Sequence, residues 1–268
     1  MKLFFSEFKP DYNKYFFPYQ VWLYKEENDD IDVIYQNGFL PIRSNKNVYY
    51  LSRSVRIDLS IFEPSSENRR ILRKTENFQM ELIPLNDFVY NSKVQKLCKQ
   101  YTDQKFGKET LSNTAIQNIF RSGVCNYIFI CKNKDRTEDV GYAVCNIADN
   151  FLQFAHSFYD MNFFIDNIGM GIMLTAIIWA KENKKRYAYL GTCYDEKALY
   201  KTEFLGFEFF NGFKWSNNLD ELKALIKQWK ENLKNQQYLL KRKDYIEQFY
   251  EGDLSNILNY NGVRVNLL

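Results

Sequence analysis

Apolar and polar positions change rhythm several times along the chain, and each change marks an element. Aromatic-rich alternations over 19–26 (YQVWLYKE) and 47–62 (NVYYLSRSVRIDLSIF) have the period of strands. Between them the acidic NDDIDVIYQNG has helical spacing and stops at Gly38. Residues 86–122 read as helical around VQKLCKQYTDQKF and LSNTAIQNIFRSG. Three strands follow, CNYIFICKN, DVGYAVCNI and FLQFAHSFYD, the first two separated by the charged turn KNKDRTED.

The next segment, GMGIMLTAIIWAKENKK, is apolar around most of a helical circumference, which predicts a deeply packed helix. A short apolar strand, YAYLG, precedes a helix EKALYKTEFLG and a last strand FEFFNGFKW. From Leu219 onward, Leu222, Ile226, Trp229 and Leu233 share one helical face with lysines opposite, the pattern of an amphipathic helix laid on the domain.

Composition narrows what this order can be. The 268 residues are 46% hydrophobic and 26% charged, which suits a folded chain with a sizeable core and excludes disorder. Net charge is +3, so any polyanion contact must come from local patches rather than from a general basic character. The five cysteines form no Cys-x-x-Cys and there is one histidine, so no structural metal is expected. The start lacks the apolar run of a secretory signal, and the longest apolar run falls short of a membrane span. A reduced, soluble, cytoplasmic protein is expected.

One local patch stands out. In IFEPSSENRRILRK, residues 61–74, Ser65 or Ser66 can cap a helix whose first turns carry Arg69, Arg70 and Arg73. Read plainly this is a solvated helix start. Read as chemistry, guanidinium forks at one-turn spacing grip phosphates or carboxylates. Gly169 and Gly171, just before the apolar helix, allow either a tight turn or an anion cradle at a helix N-terminus. Asp166 beside them opposes a diphosphate. Phe154, His156 and Phe158 alternate along one strand, so strict period two turns the imidazole into an aromatic core. Cys193 reads as a packing thiol.

The order strand, strand, strand, Gly-flanked helix, strand, helix, strand resembles the core of the GNAT acyltransferases. Within it, FEPSSENRRILRK resembles the Phe-x-Pro-Ser-x-Ser-Gln-Arg-Arg segment of the arginyl- and leucyl-tRNA protein transferases. SFYD is similar to that family's Phe-Tyr-Asp strand end, NIGMGIMLTAIIWAKENKKRYAYLG to its central helix followed by Tyr-Leu-Gly, and ALYKTEFLGFEFF to its Tyr-Lys-x-x-Phe block. The matches keep the family's order over roughly residues 35 to 212.

The resemblance implies an α/β (α+β) fold, a GNAT-like mixed sheet flanked by helices. It also implies a division into an N-terminal α+β region (1–78), an acyltransferase core (79–217) and a helical extension (218–268). It implies transfer of an aminoacyl group from aminoacyl-tRNA to the α-amine of a protein or peptide, with no cofactor and no membrane partner. Tyr159, Asp160, Tyr200 and Lys201 are the catalytic candidates; Arg69, Arg70, Arg73, Gly169 and Gly171 are the substrate-binding ones. Two alternatives stand beside it: an N-acetyltransferase of the same fold using acetyl-CoA, and a non-catalytic binding protein that retains the shell. The family's N-terminal cysteine cluster has no counterpart in SNKNVYYLSRSVRI, where Tyr49 and Tyr50 fill the space. Metal or cluster regulation therefore cannot run through this segment.

Overall fold

The structure, a computed structural model, describes residues 1–7, 19–108, 110–134, 138–164, 167–231 and 243–253. Alternating apolar strands bury their faces by pairing, and this chain does so in two sheets. Strands β1 (Lys2–Glu7), β2 (Tyr19–Tyr24), β3 (Phe39–Ile42) and β4 (Asn45–Leu51) form an antiparallel sheet in the order β1-β2-β4-β3, with helix α1 (Ile31–Gln36) beside β3.

The larger sheet holds β5 (Ser54–Asp58), β6 (Phe78–Pro84), β7 (Tyr127–Asn133), β8 (Asp139–Ile147), β9 (Phe151–Tyr159), β10 (Tyr187–Thr192), β11 (Phe207–Phe210) and β12 (Trp215–Ser216). Their order is β12-β11-β5-β10-β9-β8-β7-β6. Every neighbouring pair is antiparallel except β9 and β10, which run parallel. The mixed sheet flanked by helices that the sequence predicts is thus borne out.

The stretch 47–62, read from the sequence as one strand region, crosses between the sheets. It leaves the small sheet at Leu51 and enters the large one at Ser54, where β5 lies between β10 and β11. Residues of the 1–78 and 79–217 segments therefore share a sheet. Helix α2 (Ser66–Lys74) starts with a reciprocal cap: Ser65 Oγ accepts from Asn68 N–H while Asn68 Oδ1 accepts from Ser65 N–H. The segment EKALYKTE folds as 3₁₀ turns over Glu196–Glu203, with Asp195 as cap, rather than as an α-helix. Strands β1, β3 and β6 are elements that the apolar pattern does not announce. The last of these is the edge strand closed by Pro84, where a missing N–H costs nothing.

Helix α5 (Ile168–Glu182) lies across β7, β9 and β10. Ile168, Ile172, Leu174, Ala176, Ile177 and Ala180 are buried along it, and each large aliphatic contributes about 1.5–3 kcal/mol relative to exposure. Helices α3 (Ser92–Phe106) and α4 (Asn113–Arg121) pack on each other, and α3 on β9. A second core joins the sheets: Leu23, Ile34, Tyr35, Phe39, Leu40 and Tyr49 of the N-terminal part close on Phe151 and Tyr189 of the large sheet. Tyr49 is core, as the sequence suggests; Tyr50 lines a cleft instead.

Helices α6 (Leu219–Glu231) and α7 (Lys243–Tyr250) close the described chain. Leu222 and Ile226 are buried as the amphipathic pattern requires, while the side chains of Trp229 and Leu233 lie outside the described residues. Buried Glu221 ties both helices to the strand end. Its Oε1 accepts from Asn211 Nδ2, Tyr245 Oη and Tyr250 Oη, and its Oε2 accepts from Ser216 Oγ. Among the described residues no helix is long and apolar enough to cross a membrane.

Candidate active site

Parallel strands β9 and β10 stay in register only from Phe151–Gln153 against Tyr187–Tyr189. Beyond that β9 runs on to Tyr159, while β10 continues beside β5 as far as Thr192, paired with Ser54. The sheet therefore opens between the C-terminal halves of two neighbouring strands, the place where ligands enter such sheets. A bulge adds to this opening: Val144 pairs with His156 and Cys145 with Phe154, which leaves Ala155 as an extra residue.

A cleft of about 700 Å³ occupies the split, roofed by the small sheet. Its floor and walls include Gln153, Ala155, His156, Gly191, Thr192 and Lys201, and the small sheet adds Trp22, Pro41, Arg43 and Tyr50. The lining carries the cations Arg43 and Lys201 and, among the described residues, no carboxylate. Lys201 is 8% exposed, and its Nζ donates to the Thr192 carbonyl oxygen at 2.8 Å. Burial pulls its pKa down to about 8; Cys193 and Asp195 oppose that pull, and the Lys105 ammonium adds to it. A lysine that is partly neutral near physiological pH, inside a cleft, has the properties of a general base.

A smaller cleft of about 210 Å³ adjoins the same strand end, lined by Lys105, Ser157, Tyr159, Phe164, Met170, Met173 and Tyr200 among others. Lys105 Nζ donates to Tyr159 Oη at 3.2 Å and lies 5.1 Å from the Tyr101 ring centroid. Tyr159 is buried; Tyr200 is 38% exposed, and burial of its hydroxyl moves its pKa up to about 12. The Tyr200 phenol is therefore a neutral hydrogen-bond donor at neutral pH rather than a base.

Of the residues chosen from the sequence, Tyr159, Tyr200, Lys201 and Gly169 come together at the strand split. Asp160 does not join them. Its carboxylate caps a 3₁₀ turn by accepting from Asn162 N–H, and it lines a further cleft of about 280 Å³ with Lys93 and Lys96, which shares Tyr159 with the smaller one. The two glycines are packing glycines. A Cβ on Gly169 would stand 2.7 Å from Tyr159 Cε1, and one on Gly171 would stand 2.6 Å from Thr75 Cγ2. Asp166 lies outside the described residues. The arginines do not converge either: Arg70 forms a forked pair with Glu67, Arg69 donates to the Pro64 carbonyl, and Arg73 is exposed. None of the three lines either cleft at the split.

Period two misplaces His156. The bulge at Ala155 breaks the alternation with Phe154, and the imidazole lines the larger cleft instead of an aromatic core. Burial first, and the nearby Arg43 charge second, lower its pKa to about 4, so it is neutral at physiological pH. Lys105 is a site residue that the sequence reading misses. The available signal is its place four residues after Tyr101, on the same face of α3.

Residues 90–211 match the family described as arginine-tRNA-protein transferase, C terminus. That segment contains SFYD, YAYLG and the Tyr200–Phe204 block. The chain is 25% identical over 203 residues to an aspartate/glutamate leucyltransferase of Ruegeria pomeroyi, covering 69% of this chain and 71% of that protein. It is 25% identical over 169 residues to the one from Saccharophagus degradans, covering 60% and 69%. Among solved structures, L-PGS from Bacillus licheniformis superposes with a TM-score of 0.41 at 14% identity, covering 65% of this chain and 55% of that one. FemX gives 0.40 at 11%, covering 78% and 68%.

Proposed function

The chain is related to the aminoacyl-tRNA-protein transferases, and from that premise we propose that it moves an aminoacyl group from the 3′ end of a tRNA to the α-amine of a polypeptide, with Lys201 as general base. The observation that carries the proposal is Lys201 itself, a buried amine in a cleft with its pKa near 8. A free α-ammonium titrates at about 7.7–8.0, so proton transfer between the two is close to thermoneutral.

The chemistry balances without a covalent enzyme intermediate. The α-ammonium gives one proton to neutral Lys201, which passes it to solvent. The amine nitrogen attacks the ester carbonyl and forms the C–N bond. The carbonyl–ribose C–O bond then breaks, and the ribose oxygen takes the second proton lost by nitrogen. Tyr159 and Tyr200 hydroxyls supply donors for the oxyanion that develops in between.

The lining chemistry suggests the substrates. Arg43, with no described carboxylate in the lining, favours an acidic N-terminal residue in the larger cleft. Met170, Met173 and Phe164 with the cation Lys105 favour an apolar donor such as leucyl over an arginyl group, whose guanidinium would meet a like charge. The exposed Arg69, Arg73 and Lys74 of α2 are offered as partners for the tRNA backbone. A cytoplasmic setting, where charged tRNA is made, fits this reading.

The test uses purified protein, leucyl-tRNA, arginyl-tRNA and peptides beginning with Asp, Glu or Ala, with products weighed by mass spectrometry. Leucylated Asp and Glu peptides are expected. Unmodified peptides with both charged tRNAs contradict the proposal.

A further inference from the structure

A second large cleft, about 650 Å³, lies on the same seam between the two sheets and has no role in the chemistry above. It is lined by Tyr24 and Lys25 at the end of β2, Lys46 and Asn47 of β4, Gly123 and Val124 after α4, and Asn146 of β8 among others. Three features make it continuous with the catalytic cleft. Val124 lines both. Their floors are cross-strand partners, Asn146 in one and Gln153 in the other, and Tyr35 Oη bridges the two amides. Their roofs are successive parts of the same strands, Trp22 then Tyr24 on β2 and Tyr50 then Asn47 on β4.

We infer that this second cleft is the exit path of the acceptor polypeptide, holding the residues that follow the one whose α-amine reacts at Lys201. The inference rests on the acyl-transfer reading of the larger cleft. An acceptor whose N-terminus sits in a recess must leave it along a chain-wide channel, and each extended residue needs about 3.3–3.6 Å of it. The charges of the cleft decide between occupants. Lys25 and Lys46 share the lining with Glu26, which is paired with the Met1 α-ammonium and Lys2, and with Glu27, so a strand of phosphates would meet carboxylates as well as ammonium groups. A neutral main chain meets instead the side-chain amides of Asn47 and Asn146, which supply both donors and acceptors.

The experiment compares an Asp-initiated dipeptide with a hexapeptide extending it, measuring equilibrium binding by fluorescence anisotropy and transfer from leucyl-tRNA in parallel. The parent protein is expected to bind the hexapeptide about tenfold more tightly, a difference of about 1.4 kcal/mol. Asn47→Trp, which fills the exit cleft away from Lys201, is expected to abolish that gain and leave dipeptide binding within about twofold, since a dipeptide does not reach it. Equal affinity for both peptides in the parent overturns the inference, whatever the variant does. So does an Asn47→Trp variant that keeps the hexapeptide preference, or one whose only defect is in tRNA binding. If the variant does not fold, the parent's length series decides alone. Length-dependent binding with no transfer to either peptide leaves the exit path standing and removes the proposed function.

Discussion

Lys201 Nζ donates to the Thr192 carbonyl at 2.8 Å from inside the cleft where β9 and β10 part. That bond joins the 3₁₀ segment after β10 to the end of β10 itself. It satisfies one N–H of the amine without fixing its charge, because the partner is a neutral carbonyl rather than a carboxylate. A carboxylate partner would hold the lysine protonated and useless as a base.

The buried amine should weaken the fold at neutral pH. Its pKa falls from the usual 10.5 to about 8 on folding. Between those values the unfolded chain holds a proton that the folded chain does not, so stability rises with pH across this window and the cost is fully present below about 8. Lys201→Met should therefore be more stable than the parent at pH 7, by up to about 3 kcal/mol at 1.36 kcal/mol per pKa unit. The advantage should shrink as pH approaches 10.5 in urea titrations. A Lys201→Met variant whose advantage over the parent is no larger at pH 7 than at pH 10 contradicts this.

His156 acts in the acid range. Its pKa is lowered from 6.5 to about 4, so between these values the unfolded chain binds a proton that the folded chain refuses. Stability should fall as pH drops through that window, by up to about 3 kcal/mol. His156→Gln should flatten the loss. Thermal melts of both proteins from pH 7 to pH 4 give the comparison, and parallel curves refute the assignment.

Much of this architecture is legible in the chain, because period-two and near-continuous apolar runs mark β7 to β10 and α5 without tertiary help. What the pattern hides is where one residue breaks the alternation. Ala155 shifts β9 by one position, so FAHSFY reads as one uninterrupted alternation although the bulge puts Phe154 on the face opposite His156 and Phe158. Likewise Ser52 and Arg53 look like part of a strand, yet they carry the chain from one sheet to the other. Asp160 shows a different limit. Its position in a family-like motif is visible, but its service as a turn cap depends on the backbone beyond β9.

Gly171 tests the packing role of the paired glycines. A methyl there would stand 2.6 Å from Thr75 Cγ2, so Gly171→Ala should cost about 1–3 kcal/mol by overpacking α5 against α2. Thr75→Ala in the same chain should return part of that loss. Calorimetric melts of the single and double variants check it; an Ala variant as stable as the parent shows that the space yields.

The cations of α2 should affect tRNA and nothing else. Arg69→Ala with Arg73→Ala removes two exposed charges, so folding should hold within about 0.5 kcal/mol. The salt dependence of leucyl-tRNA binding should flatten by about 0.7 for each single-strand phosphate that is no longer neutralised, or about 0.9 on duplex. An unchanged slope in filter-binding titrations makes α2 a solvated face.

The most direct test of Lys201 as the base is the pH dependence of a single round of transfer from leucyl-tRNA to an Asp-initiated hexapeptide. The α-amine is replaced by a hydroxyl of low basicity in a control peptide, so that the enzyme's titration is separated from the substrate's. The parent rate should rise through a midpoint near 8, the value for Lys201. Lys201→Met should be folded, lose that inflection and run about 10²–10⁴-fold slower, the usual contribution of a general base. A parent-like rate and inflection in that variant would contradict the assignment of Lys201 as the base.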